Sequence, residues 1–279
     1  MANIRMRFPE NRKKALTLSY DDGVDSDKRF IEIIDRKGLK CTFNINSGCF
    51  AEEGAGYAEG KKTRRMTKAE CVELYSSTDH EVAIHGYTHP WLEKMSEPEM
   101  VYEIVKDREN LENAFGRIVR GMAYPYGTYN DKVVEVLRTC GVAYSRTVTS
   151  TEKFSIPTDW LRMPATCHHK NPRLMELART FVEKDCTNDQ PQLFYLWGHT
   201  YEFVDNDNWE IIEEFSDYIG GRDDIWYATN MEIYEYVEAF RSLVFSMDRT
   251  IVMNPSSKTV WFRFNKKDYV IEAGQTVAI

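Results

Sequence analysis

Residues 15–23 read Ala15-Leu16-Thr17-Leu18-Ser19-Tyr20-Asp21-Asp22-Gly23, an apolar run that stops at two adjacent carboxylates. The run has the length and composition of a buried strand. Asp22-Gly23 alone is ordinary turn chemistry. A second carboxylate pressed against the strand end is not, because a buried charge is costly unless something cationic meets it. Further along, residues 80–91 carry His85 and His89, four apart, just after a short predicted strand, Glu81 to Ile84. Two such histidines met by a carboxylate from elsewhere are a common way to hold one divalent metal. Pro90 disfavours the α conformation at His89, so this pair is expected on a loop. Tyr126 follows the predicted strand 121–124, and His199 follows the apolar strand Leu193 to Trp197. Asp21, Asp22, His85, Tyr126 and His199 thus all fall at or just past the C-terminal ends of predicted strands. In parallel α/β barrels the chemistry gathers at that face.

The segments between these points alternate in type. Asp25 and Ser26 offer an N-cap for a helix carrying Phe30, Ile31, Ile33 and Ile34, closed by Gly38. Residues 41–46 alternate as a strand, and 51–65, rich in glycine and basic residues, read as an exposed loop. Thr67 caps a short helix, and Ser96 with Glu99 is a capping-box signature for a long one to about Phe115. Helices follow over 131–140, 172–184, 209–218 and 231–243, and strands over 142–148 and 225–228. Residues 149–171 read as irregular, with His168-His169 expected at the surface, though either could reach the site. Strand and helix alternate seven times over about 245 residues, which predicts an α/β fold with a parallel sheet, open or closed into a barrel. The tail differs: Val260 to Phe264 and Tyr269 to Ile271 flank a turn and read as a β-hairpin. The expected organisation is a catalytic domain over 1–248 and a C-terminal β extension over 249–279.

At 279 residues, with 42% hydrophobic and 13% aromatic residues, the chain can build a substantial core. A net charge of -8 and a pI near 5.4 argue against a nucleic-acid partner. Mean hydropathy is -0.53, and no apolar run approaches the roughly 18 residues of a membrane span. The N-terminal stretch has no apolar core of a signal peptide, and the six cysteines are scattered without a CxxC pair. Reduced thiols and a cytoplasmic location are the expectation.

Taken together, these residues resemble the polysaccharide deacetylase family, the carbohydrate esterase group built on the NodB homology domain. Ser19-Tyr20-Asp21-Asp22-Gly23 resembles its first motif. His85-Gly86-Tyr87-Thr88-His89-Pro90 resembles the second, with Gly86 where the family has Ser or Thr. Ala123-Tyr124-Pro125-Tyr126-Gly127 resembles the third, and the apolar strand ending at His199 the fifth. The resemblance runs from about residue 12 to about residue 240, in the family's order. It implies a distorted (β/α) barrel of about seven parallel strands and metal-dependent removal of acetyl groups from N- or O-acetylated sugars. It implies Asp22, His85 and His89 as metal ligands, Asp21 as general base and His199 as general acid. Tyr126 is implied to offer a backbone N–H to the oxyanion, and Tyr126, Trp197 and Arg146 are expected on the substrate side. Zinc suits such a donor set, and cobalt, nickel, iron or manganese would fit too.

Two departures stand out. The arginine that supports the aspartate in the third motif is replaced by Ala123, with Arg146 or Arg162 as candidate substitutes. The Asp-Trp pair of the fourth motif has a counterpart in Asp159-Trp160, whose carboxylate is expected to hold the acid histidine. The altered third motif and the expected location also leave open a hydrolase of C–N bonds in a small cyclic amide. A non-catalytic carbohydrate-binding protein is a third reading, against which the retention of both Asp21 and His199 counts.

Overall fold

The computed structural model describes residues 4–279. After a short strand β1 (Ile4–Arg7), the apolar run forms β2 (Lys14–Asp21), with all eight residues buried. Its period of two serves two environments. Leu16, Leu18 and Tyr20 pack outward against α1 (Asp27–Asp35) through Phe30, Ile31, Ile33 and Ile34. Each such buried side chain contributes roughly 2 kcal/mol. Thr17, Ser19 and Asp21 face inward and bond polar groups there: Thr17 Oγ1 donates to Asn230 (2.9 Å), and Asn44 donates to Ser19 (2.8 Å) and Asp21 (2.9 Å). The position of Asp21 inside the strand end is therefore set by register.

Strands and helices then alternate through β3 (Cys41–Ile45), α2 (Lys68–Ser76), β4 (Glu81–Ile84), α3 (Glu97–Phe115), β5 (Gly121–Ala123), α4 (Asp131–Thr139) and β6 (Tyr144–Ser150). Thr67 and Ser96 form the expected capping boxes of α2 and α3. Ser26 does not cap α1; its hydroxyl lies 2.8 Å from that of Thr200 instead. Residues 149–171, expected to be irregular, contain β7 (Met163–Ala165) and β8 (Cys167–His168). These strands are short, and Pro164 sits inside the first of them, so no alternation betrays them. After α5 (Leu174–Glu183) the chain returns in β9 (Gln192–Gly198).

Every pair in this sheet is parallel, in the order β7-β6-β5-β4-β3-β2-β9-β8. Because β7 and β8 are one segment broken only at Thr166, that segment pairs with β6 on one flank and β9 on the other. The sheet thereby closes into the distorted barrel of about seven strands that the sequence implies. The outward faces carry the helices, now including α6 (Tyr201–Asp205) and α7 (Glu210–Ile219). The strand β10 (Ile225–Tyr227) pairs with the first half of β2, and α8 (Asn230–Arg241) follows.

The tail forms β11 (Val244–Phe245), β12 (Ile251–Met253), β13 (Val260–Phe264), β14 (Lys267–Ile271) and β15 (Thr276–Ala278). The hairpin of β13 and β14 was expected; its antiparallel pairing with β1 was not. Four residues with an ordinary composition gave no sign of it. Among the described residues no helix is long and apolar enough to cross a membrane, and the six cysteines are free thiols.

Candidate active site

The C-terminal ends of β2, β4, β5 and β9 converge. Asp21 closes β2 with its carboxylate 3% exposed. One of its oxygens, Oδ2, accepts from Arg146 of β6 and lies 3.8 Å from His85 Nε2 and 3.7 Å from His199 Nε2. Burial pushes this carboxyl up, but Arg146, with His85 and His199 beside it, overrides burial and holds it at about 2. Asp21 is thus a buried carboxylate kept ionised by design of its surroundings.

Of the two places expected for Arg146, support of the aspartate and contact with substrate, the structure shows it in the first. It is 1% exposed, ion-paired with Asp21 and stacked 4.4 Å over the ring of Trp197. Its guanidinium thus supports the aspartate from β6, where Ala123 offers nothing, and is itself closed off from solvent. Trp197 is only 8% exposed beneath it, which leaves little of this indole open to a substrate. Arg162 lies elsewhere, paired with Asp131 and Asp159.

Asp22, His85 and His89 come together as expected, with one donor atom from each inside a 4.8 Å cluster. The tautomer of His85 is fixed: Nδ1 sits 2.8 Å from the Ala123 carbonyl, which can only accept, so Nδ1 carries the proton. Its Nε2 lone pair is therefore bare and turned to the cluster, the arrangement seen when a carbonyl orients a metal ligand. Burial lowers the pKa of His85, and burial together with His85 lowers that of His89 to about 4. Both rings are neutral near pH 7, which metal ligation requires. Two neutral imidazoles and one carboxylate leave coordination positions open, and this donor set fits a divalent ion such as zinc.

Three of these residues sit on left-handed backbone: Asp22 at φ 89°, His89 at 57° and Tyr126 at 57°. Non-glycine residues there cost about 1–3 kcal/mol each and persist only where surrounding contacts enforce them. The enforcement is visible. Tyr126 stacks on Trp91 at 3.9 Å and 6° and meets the His89 ring edge-on at 4.4 Å. Gly86, also left-handed at φ 76°, has no room for a side chain; a Cβ would stand 2.8 Å from the Pro90 ring. That explains glycine where the family pattern has Ser or Thr.

On the other flank stands a residue that the sequence reading missed. Glu202, on α6, accepts on one oxygen from His168 Nε2 (3.1 Å), His169 Nε2 (3.2 Å) and His199 Nδ1 (3.4 Å). Its other oxygen takes Lys170 Nζ at 2.7 Å. These cations and donors hold Glu202 far below the usual carboxylate range, against its burial. In turn Glu202 and Asp21 raise the pKa of His199 against the opposing effect of burial. His168 and His169 are not surface residues; His169 is 2% exposed between Tyr20 and Phe203. Gly198 makes room for it, since a Cβ there would lie 2.0 Å from His169 Nδ1. The donors of this second cluster also lie close enough for an ion, but His168 Nδ1 accepts from the Lys170 amide at 3.1 Å. Its Nε2 therefore carries the proton and donates, which makes the cluster a hydrogen-bond hub. Asp159, expected to hold His199, instead caps Leu161 and pairs with Arg162. The signal for Glu202 was present as His199-x-x-Glu202, an i,i+3 spacing on a helix start.

Comparison with known proteins bears on the family and the fold. The family model described as polysaccharide deacetylase matches residues 9–145. A chitin deacetylase from Cryptococcus neoformans is 23% identical over 131 residues, covering 47% of this chain and 25% of that protein. Among solved structures, a Mycobacterium smegmatis chain provisionally described as a polysaccharide deacetylase superposes with a TM-score of 0.59. It is 16% identical, with coverage of 86% of this chain and 96% of that one. A family 4 carbohydrate esterase from Streptomyces lividans, in complex with acetate, gives a TM-score of 0.51 at 15% identity, covering 78% and 93%. At these identities the two structures bear on the fold alone.

Proposed function

We propose that this chain, whose residues 9–145 belong to the polysaccharide deacetylase family, is a metal-dependent hydrolase removing acetyl groups from an N- or O-acetylated carbohydrate. The observation that carries the reading is the position of Asp21 Oδ2, 3.8 Å from one candidate ligand and 3.7 Å from His199. A base, a ligand set and an acid are thus gathered on one strand-end face.

A divalent ion held by Asp22, His85 and His89 would polarise the acetyl carbonyl and acidify a water beside it. Asp21, ionised under Arg146, takes the proton of the attacking water. The backbone N–H of Tyr126, on its left-handed turn, would be the donor offered to the developing oxyanion. His199, whose pKa Glu202 and Asp21 raise against burial, gives its proton to the leaving amine or alcohol. A group that only bound sugar would need neither the base nor the acid. The altered third motif and the expected location both lean toward a small cyclic amide, and the Arg146–Asp21 ion pair from a different strand counts against the first of these.

Acetate release from a panel of acetylated sugars and oligosaccharides tests the reading, before and after chelation and with zinc restored. Release should vanish with the chelator, return with zinc, and fall about 10²–10⁴-fold in Asp21→Asn. No acetate from any sugar while metal stays bound would transfer the site to the amide reading.

A further inference from the structure

One cation already sits against the proposed ligand set. Arg65, from the end of the glycine-rich loop 51–65, donates from Nη2 to Asp22 Oδ1 at 2.7 Å. The same Oδ1 is the Asp22 atom that faces His89 Nε2, at 3.9 Å. The guanidinium is not placed there by that contact alone. Its Nη1 also donates to the Asp22 carbonyl and to Asn46 Oδ1, the latter at 2.9 Å. Asn46 in turn donates to the carbonyls of His85 and Gly86. The backbone of the loop is pinned as well: Met66 N donates to the Gly23 carbonyl at 3.0 Å, and Arg65 bridges Val24 in antiparallel fashion. Arg65 therefore cannot swing aside without losing bonds that do not involve the Asp22 carboxylate.

Guanidinium does not deprotonate in proteins, so this is a permanent positive charge 2.7 Å from a liganding oxygen. The pair is partly buried, with side-chain exposures of 30% and 13%, so water screens it incompletely. An ion bringing two further positive charges to Asp22, His85 and His89 must share that oxygen with Arg65 and bear its repulsion. Arg146 also acts on His85, but its guanidinium is taken up by Asp21 and not by a candidate ligand.

Building on the metal reading above, we propose that Arg65 is an internal competitor for the metal: it occupies Asp22 Oδ1 and sets the ion affinity of the site low. The consequence is a site that exchanges its ion and responds to the free concentration, while the apo protein keeps its strained Asp22 turn in place. Asn46, tied to Arg65 and to the His85 carbonyl, carries the geometry; Arg65 carries the charge.

The test is the zinc affinity of the metal-stripped full chain, read by competition with a chromophoric chelator, with no substrate present. Arg65→Gln keeps a donor for Asp22 and removes the charge, and it should bind zinc at least tenfold more tightly. Arg65→Lys, which keeps the charge, should stay within about threefold of the parent chain, and its near-UV circular dichroism reports that the fold is retained. Equal or weaker binding by a folded Arg65→Gln overturns the proposal and leaves Arg65 as a structural tie between the two ligand-bearing turns. Binding by the parent no tighter than by Asp22→Ala overturns the ligand assignment itself, and this proposal with it.

Discussion

Glu202 bears on His199 through a single 3.4 Å contact, and that contact pushes the pKa of the histidine up. Burial lowers the pKa of His199; Glu202 on α6 and Asp21 on β2 raise it, with Asp22 adding in the same direction. The neighbouring His168 and His169 share the Glu202 oxygen, and Lys170 its partner oxygen. Replacing Glu202 by glutamine removes the nearest negative charge and leaves burial to act, so the pKa of His199 falls. An acid must be protonated to work, so the alkaline limb of the rate profile should move to lower pH. Activity at pH 8 should drop about tenfold or more, as second-partner losses do, while zinc affinity stays unchanged. The pH dependence of acetate release by Glu202→Gln, with Glu202→Asp as a partial rescue, checks this. An unshifted alkaline limb would leave Glu202 a packing residue only. Asp21 follows the same logic in reverse: burial would neutralise it, and Arg146 prevents that.

Three elements meet at Asp27, and there the fold records pH. Asp27 opens α1, accepts from Tyr75 of α2 at 2.5 Å, and accepts from Thr200 just before α6. It is fully buried with no cation against it, and burial raises its pKa to about 7 despite those hydroxyls. The unfolded chain releases this proton near pH 4 while the folded chain keeps it to about pH 7. In that window the folded state binds more protons, so stability falls as pH rises and levels off above it. The loss is at most about 4 kcal/mol from this group. Asp107, also buried and pushed up to about 7, adds a second loss of the same sign. Asp27→Asn mimics the protonated acid and should be less sensitive to pH between 5 and 7.5 in urea melts than the parent chain; equal slopes would refute the assignment. How such residues escape a sequence reading is instructive. Asp21, Asp22, His85, His89 and His199 were legible because strand ends and short spacings mark them locally. Arg146 meets Asp21 across 125 residues, and Glu202 meets His168 and His169 across α5 and β9, with the two histidines at the end of a short strand that the sequence conceals. Period and capping rules fix elements, as Thr67 and Ser96 show, but not which ends of the barrel face each other.

At the scale of the whole molecule the tail is joined to the barrel at the first strand as well as the last helix. Reading the hairpin alone suggests an appendage beginning at 249. In the folded chain β13 pairs along its length with β1, from Ile4↔Phe264 to Arg7↔Trp261. Tyr236 of α8 ties the two together, donating to the Arg7 carbonyl at 2.6 Å and accepting from the Trp261 amide at 3.0 Å. Beneath them Val252, Val260, Phe262, Phe264 and Ile271 form a small core with Ala239 of α8. Arg7 then reaches Asp189, which Arg263 also contacts, so the β1–β13 pair is anchored to the loop before β9. Deleting 249–279 would strip β1 of its partner, expose the face of α8 that carries Ala239 and leave Arg7 buried with half its surroundings. Each lost large apolar side chain removes roughly 2 kcal/mol of burial, and five of them exceed a large share of the 5–15 kcal/mol that holds a typical domain together. A chain ending at residue 248 should therefore be insoluble or melt at least 10 °C below the full chain, rather than behave as an independent catalytic domain. A truncated chain that melts with the full one and binds zinc equally would show that β13 and β14 merely rest on a barrel complete without them.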